Sequence, residues 1–220
     1  MTASNIANMA MVCGLDAIAL TDHNSLKNCP PFFVACARAG VMPVAGVEVC
    51  TREEVHVLCY FPDLGSGMAF DSYLDARLAP IMNRADIFGR KILLGDGDEA
   101  VGEEARLLVA AADVGIEDLP RIAARYGGVA VPAHVDRPSY SLISNLGFVP
   151  EGFPVRCFEA RDPAALGSLL ARNPGLSGAR MLSSSDAHSL AAIQERGPYI
   201  EAESRTAAAL IAAIGGPYGA

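Results

Sequence analysis

No stretch of this 220-residue chain is apolar for long enough to cross a bilayer. The longest apolar runs, such as RLLVAAADVGI, fall far short of ~20 residues and carry charges, so no membrane span or membrane partner is expected. Positive charge is also scarce. Seventeen Lys and Arg face 25 Asp and Glu, a net charge of −8, and a duplex-DNA-binding surface would need a basic face that this balance does not supply. An acidic protein still acts on phosphates where metal ions bring the positive charge. The N-terminal MTASNIANMA lacks the basic and apolar regions of a signal peptide. The six cysteines (Cys13, Cys29, Cys36, Cys50, Cys59, Cys157) form no C-x-x-C pair, and the Cys29/Cys36 spacing matches no standard iron–sulfur run. They read as reduced, buried thiols of a cytoplasmic protein. Internal repeats and low-complexity tracts are absent too. What remains is a globular chain, 51% hydrophobic and 19% charged, long enough for a full core.

The pattern along the chain alternates. A helix is expected over residues 4–13, with Ser4 as N-cap and Gly14 as stop, followed by the short apolar run LDAIAL. Residues 25–39 turn helical in their second half and end at Gly40. VMPVAGVEV and EVHVLCYF read as strands. From Asp63 to about Gly115 the pattern loosens, and the Gly-rich and turn-like stretches there read as an inserted, mostly surface segment. Beyond it come a helix in IEDLPRIAARYGG, strands in GVAVPA and PVRCFEA, a helix in PAALGSLLARN, a strand at ARML and a closing helix in SRTAAALIAAIGG. Short apolar strands alternating with helices imply a parallel sheet, either doubly wound or closed as a barrel. Polar residues gather at the C-terminal ends of several strands, where (β/α) barrels collect their active sites, and this favours the barrel.

Each of the four histidines follows or sits in an apolar strand-like run: His23 after AIALTD, His56 in EVHVLCY, His134 after GVAVPA and His188 in LSSSDAH. One alone would read as a structural histidine; four in such positions point to a metal site. Glu48 in AGVEV is a strand carboxylate among apolar neighbours, which is costly unless paired or metal-bound. Asp186 precedes His188 by two residues, and on an extended segment both project to one side. Imidazoles with carboxylates are ligands for Zn²⁺, Mn²⁺ or Fe²⁺.

In order, LTDHN, GVEV, VHVL, PAHVD and SSDAH resemble the PHP (polymerase and histidinol phosphatase) superfamily of metal-dependent phosphoesterases. NRADIFG and SNLGFVPEG resemble its bacterial stand-alone members. The resemblance implies one domain over residues 1–220, a distorted (β/α)₇ TIM-like barrel with two to three divalent ions at its C-terminal mouth. By motif, Glu48 bridges, His56 and His134 complete one metal position, His23 and His188 belong to another, and Asp186 shares a third with Glu48. Asp22 and Asn24 are assigned to orienting ligands or contacting phosphate; Arg137, just after AHVD, reads either as a phosphate contact or as a solvated loop arginine. The family opens with a strand carrying H-x-H, which this sequence lacks; Met1 falls where the first loop or helix should be. The barrel is therefore expected to miss its first strand, with two edges open to water or to another chain, and a late-called start codon explains this most simply.

The leading functional expectation is hydrolysis of a phosphomonoester, nucleotide or short oligonucleotide by a water held between ions on Glu48 and Asp186. No G-x-S-x-G elbow offers a serine nucleophile. The first alternative is a degenerate, non-catalytic module that binds metal or nucleotide. The second is amidohydrolase chemistry, which would want a carbamylated lysine or a catalytic strand-end aspartate; Lys27 and Lys91 sit at no strand end.

Overall fold

The computed structural model describes residues 1–149, 153, 156–162, 164, 166–197 and 199–215. Parts of FVPEGFPV, of PAALG and of RGPYI, together with the terminal GPYGA, lie outside them.

The first helix, α1 (Ala3–Val12), starts two residues before the expected cap: the hydroxyl of Thr2, not Ser4, accepts from the Asn5 amide. It leads into β1 (Ala17–Leu20). Helix α2 (Cys29–Ala39) opens with prolines in its first turn, where no amide is missed, and closes at Gly40 in the left-handed region at φ 74°. Strands β2 (Met42–Cys50) and β3 (His56–Phe61) follow.

The principal sheet has the order β1-β2-β3-β6, where β6 is Val129–Pro132. The expected all-parallel sheet is corrected here. β1 runs parallel to β2, but β3 is antiparallel to both β2 and β6. Only residues 51–55 separate β2 from β3, too few for the crossover that a parallel neighbour requires, so the chain turns straight back. β6 then runs the same way as β1 and β2. Close approach of β1 to β2 depends on Gly46: a Cβ there would lie 2.8 Å from Thr21 Cγ2 and 3.0 Å from the Leu20 carbonyl oxygen.

The segment read as loosely patterned is more ordered than its composition suggests. Helix α3 (Leu64–Asp75) begins within the Gly-rich DLGSGM, capped by Asp63 accepting from Ser66 N. Gly67 faces Ala45 and Leu26 so closely that no side chain would fit. After the short α4 (Ala85–Phe88), an exposed hairpin of β4 (Ile92–Leu94) and β5 (Ala100–Glu103) forms. Asn28 holds its start, donating to Ile92 O and accepting from Leu94 N. At the base of the segment Lys27 and Arg106 both pair with Asp75 and Glu104.

Helix α5 (Leu119–Arg125) precedes β6, and the short α6 (Leu142–Leu146) follows it. A parallel pair, β7 (Cys157–Glu159) and β8 (Arg180–Leu182), is joined through α7 (Leu166–Arg172). The Val135 amide donates to Glu159 O at 2.8 Å, which sets β7 beside the exit of β6. Helix α8 (Ala207–Ile214) packs Ile211 and Ile214 against Val44, Val129 and Cys157. The sheet does not close. Among the described residues no strand pairs with the outer edge of β1 or of β8, and a cavity of about 910 Å³ runs along both, reaching inward to Tyr60, Glu48 and His134. Among the described residues no helix is long and apolar enough to cross a membrane.

Candidate metal centre

Strand direction explains why distant histidines meet. β1, β2 and β6 run the same way, and their C-terminal ends deliver His23, Glu48 and His134 to one rim. His56 opens β3 instead of closing it, and because β3 is antiparallel its N-terminal end lies on that same rim. Backbone bonds lock the junction: Glu48 N donates to Asp22 O, and Asn24 N to Glu48 O.

Three imidazoles converge on one carboxylate. Nδ1 of His23 is 3.2 Å from Oε2 of Glu48, Nδ1 of His56 is 3.0 Å from Oε1, and Nε2 of His134 is 3.2 Å from Oε1. One donor atom from each of His23, Glu48 and His56 lies within 4.8 Å of the other two. Glu48 is 7% exposed and His134 1%. Burial alone would raise the Glu48 pKa. Bonds to His134 and His56 and the charges of His56 and His23 outweigh it, holding the carboxyl well below the usual carboxylate range. For His23, burial pulls the imidazole below its ordinary value and the charge of Glu48 offsets this only in part. The pair is therefore poised as a neutral nitrogen facing an ionised oxygen, the states a metal requires.

Whether these groups fit a cation shows in what they fail to satisfy. His23 Nδ1 sits close to Glu48 with angles that make no hydrogen bond, and it has no other partner among the described residues; Nδ1 of His134 is likewise buried without one among them. Orphaned buried nitrogens are rare and call for an explanation. A donor set of imidazoles converging on one carboxylate, with His23 Nδ1 left unsatisfied beside it, fits a Zn²⁺- or Mn²⁺-like ion.

The other expected site residues are placed as follows. Asp186, on the segment after β8, accepts from Arg137 Nη1 at 3.2 Å. The side chain of His188 is 72% exposed; its Nδ1 meets the Asp186 carbonyl at 2.9 Å, and it does not join the knot around Glu48. Asp22 lies one residue from His23; burial raises its pKa, countered in part by the amide of Asn28, which donates at 3.3 Å. Asn24 is buried and spends its whole amide on backbone: Nδ2 donates to Leu108 O and Ala110 O, and Oδ1 accepts from Cys50 N. The cysteines are free, and burial pushes the Cys29 and Cys36 thiols up to about 12, so they offer no thiolate.

Two residues escaped the sequence reading. Glu159 ends β7, is 2% exposed and lines the cavity; burial pushes its pKa up to about 7 despite a hydrogen bond with Ser184. The signal that picked out Glu48, a strand carboxylate among apolar neighbours, was equally present in RCFEA. Tyr140 stacks on His56 with ring centroids 4.8 Å apart and planes 25° apart, and nothing in RPSYSL announces it. Left-handed backbone concentrates here. Asn24, His134, Tyr140 and Asp186 all have positive φ, between 29° and 54°, at roughly 1–3 kcal/mol each for such residues.

A family model for the PHP domain matches residues 1–140. A comparison with curated proteins gives no match. Among solved structures, the lesion-specific endonuclease Q of Pyrococcus furiosus superposes with a TM-score of 0.61 at 19% identity, over 86% of this chain and 44% of that one. This chain thus spans less than half the length of that enzyme. A protein described as a metal-dependent phosphoesterase from Bifidobacterium adolescentis gives 0.53 at 16% identity, covering 86% of this chain and 82% of that one. An amidohydrolase from Chromobacterium violaceum with bound sulfate gives 0.55 at 18%, with the same coverage. At these identities the likeness is one of fold.

Proposed function

The chain belongs to the PHP domain family, and on that premise we propose that it is a metal-dependent phosphoesterase acting on a small phosphomonoester, nucleotide or short oligonucleotide. The observation that carries this reading is the convergence of His23, His56 and His134 on the buried, ionised Glu48. Two or three divalent ions (Mn, Zn or Fe) bound there, with Asp186 and His188 as the remaining ligands, would supply Lewis acidity toward water and neutralise phosphate charge.

The chain's own residues do the rest. Glu48 is the central anionic ligand, and its depressed pKa keeps it charged at neutral pH. Arg137 points its guanidinium at Asp186 on the rim, within the same group that would receive a phosphoryl oxygen, and a guanidinium matches such an oxyanion. Asp22 and Asn24 hold the β1–β2 junction and thereby the bearing of His23 and Glu48. The finer fold reading is a single distorted TIM-like barrel over residues 1–220 with the 63–115 segment inserted, one strand position being open between β1 and β8. A cytoplasmic location and the lack of a duplex-binding face belong to the same reading and rest on charge and composition; association of chains would go through the two open edges.

The test is hydrolysis of p-nitrophenyl phosphate and of a nucleoside monophosphate by metal-loaded protein, beside Glu48→Gln. Turnover that needs Mn²⁺ or Zn²⁺ and disappears in the variant is expected. A second reading, a non-catalytic metal- or nucleotide-binding module, is favoured by one observation, the unclosed sheet with His188 turned to solvent. Stoichiometric metal without turnover on any phosphoester would establish it over hydrolysis.

A further inference from the structure

Tyr140 is out of place by the ordinary rules. The residue is 44% exposed, so core packing does not hold it, and its backbone lies in the left-handed region at φ 54°, where an aromatic residue is disfavoured. Neighbours nonetheless pin it. Ser141 Oγ donates to Arg137 O at 2.8 Å and also caps α6, accepting from Ser144 N while the Ser144 hydroxyl accepts from the Ser141 amide. The segment between β6 and α6 is thereby held on both sides of Tyr140.

Both contacts that this conformation makes fall on one residue. The Tyr140 carbonyl accepts from His56 N at 2.9 Å, and the Tyr140 ring lies nearly parallel to the His56 ring at 4.8 Å. His56 is the first residue of β3, paired with Cys50 of β2; its carbonyl accepts from Ala133 N at 3.0 Å, and its amide goes to the Tyr140 carbonyl. Its ring also meets His23 at 5.2 Å and His134 at 5.4 Å, in tilted or edgewise contacts that do not fix its plane. The parallel stack and the 3.0 Å approach of Nδ1 to Glu48 Oε1 are the contacts that bear on its orientation. We propose that Tyr140 is a positioning residue for His56, its left-handed backbone being the cost of laying an aromatic ring flat on that imidazole so that Nδ1 aims at the space beside Glu48. The proposal rests on the reading of His56 as a metal ligand; its geometric half, that the ring fixes the imidazole plane, does not.

Two variants decide it, one that removes the ring while easing the backbone and one that keeps the ring. Tyr140→Gly suits the left-handed backbone and removes the ring; Tyr140→Phe keeps the ring and removes only the hydroxyl. For each, Zn²⁺ affinity is measured by calorimetric titration, the melting temperature in chelator, and the His56 ring-proton shifts by NMR of the metal-free protein. The expected result for Tyr140→Gly is a melting temperature equal to or above wild type. Its Zn²⁺ affinity should be about tenfold lower or more, in the range seen when groups that orient a metal ligand are removed, and the His56 ring signals should lose their ring-current displacement. Tyr140→Phe should match wild type in all three. Unchanged affinity and unchanged His56 shifts in Tyr140→Gly would overturn the proposal, as would a lower melting temperature with affinity intact, since Tyr140 would then serve the fold alone. Failure of the reading of His56 as a metal ligand looks different. Wild type would take up no Zn²⁺ at all, and the His56 shifts would still decide whether Tyr140 sets the ring.

Discussion

Replacing Glu159 by Gln should stabilise the metal-free protein, and by an amount that depends on pH. Glu159 is buried at the end of β7, and its pKa is pushed from 4.5 up to about 7, chiefly by burial, against the opposing hydrogen bond with Ser184 and the charge of His134. The folded protein therefore holds this proton more tightly than the unfolded chain does. Between pH 4.5 and about 7 the folded state binds more protons, so stability falls as pH rises, and the loss is complete above about 7. At ~1.4 kcal/mol per pH unit, the displacement amounts to about 3 kcal/mol. Glutamine has the same shape, can still bond Ser184 and does not ionise. In chelator at pH 8, Glu159→Gln should melt roughly 6–12 °C above wild type, taking ~2–4 °C per kcal/mol for a chain of this size. At pH 4.5 the two should nearly coincide. A difference in melting temperature that is the same at both pH values would refute the reasoning, because Glu159 would then not titrate between them.

Two further outcomes are expected. Because burial holds His23 below the ordinary imidazole value of 6.5, protons compete with metal for it only under that value. Metal content after dialysis at stepped pH should hold steady from about pH 8 to 6.5 and fall below it, and content that is level down to about pH 4.5 would exclude His23 as a ligand. Asn24→Ala strips two carbonyls and one amide of their partners and puts a β-carbon residue without a polar side chain at φ 49°. A loss of about 3 kcal/mol in urea denaturation is expected, and a loss under about 1 kcal/mol would show that water replaces the amide.

The site was easier to read from the sequence than the sheet. Glu48, His23, His56 and His134 stand out because polar, ligand-type side chains at the ends of apolar strands are costly without a partner, and that cost is local to each short stretch. Strand direction is not local. The antiparallel course of β3 rests on the shortness of TREEV between two strands, a signal that was present but weaker than the general alternation of strand and helix. The β4–β5 hairpin was missed because its strands are short and exposed, and Asn28, 64 residues away, holds its edge. Tyr140 could not be found at all: its role depends on a ring stack across 84 residues of sequence. His188 marks the reverse case. Its motif spacing placed it with His23, and the two line one cavity, but its exposed side chain rests on its own Asp186 carbonyl and does not reach Glu48.

The central claim is that Glu48 and its histidines hold a metal ion, and the most direct measurement is anomalous diffraction from crystals grown with Zn²⁺. The account predicts a peak within ~2.0–2.2 Å of a Glu48 oxygen and of nitrogens from His23 and His56, with the orphaned His23 nitrogen satisfied by it. A saturating concentration of Zn²⁺ that leaves no peak there, with His56 and His134 still resting directly on the Glu48 carboxylate, would contradict it.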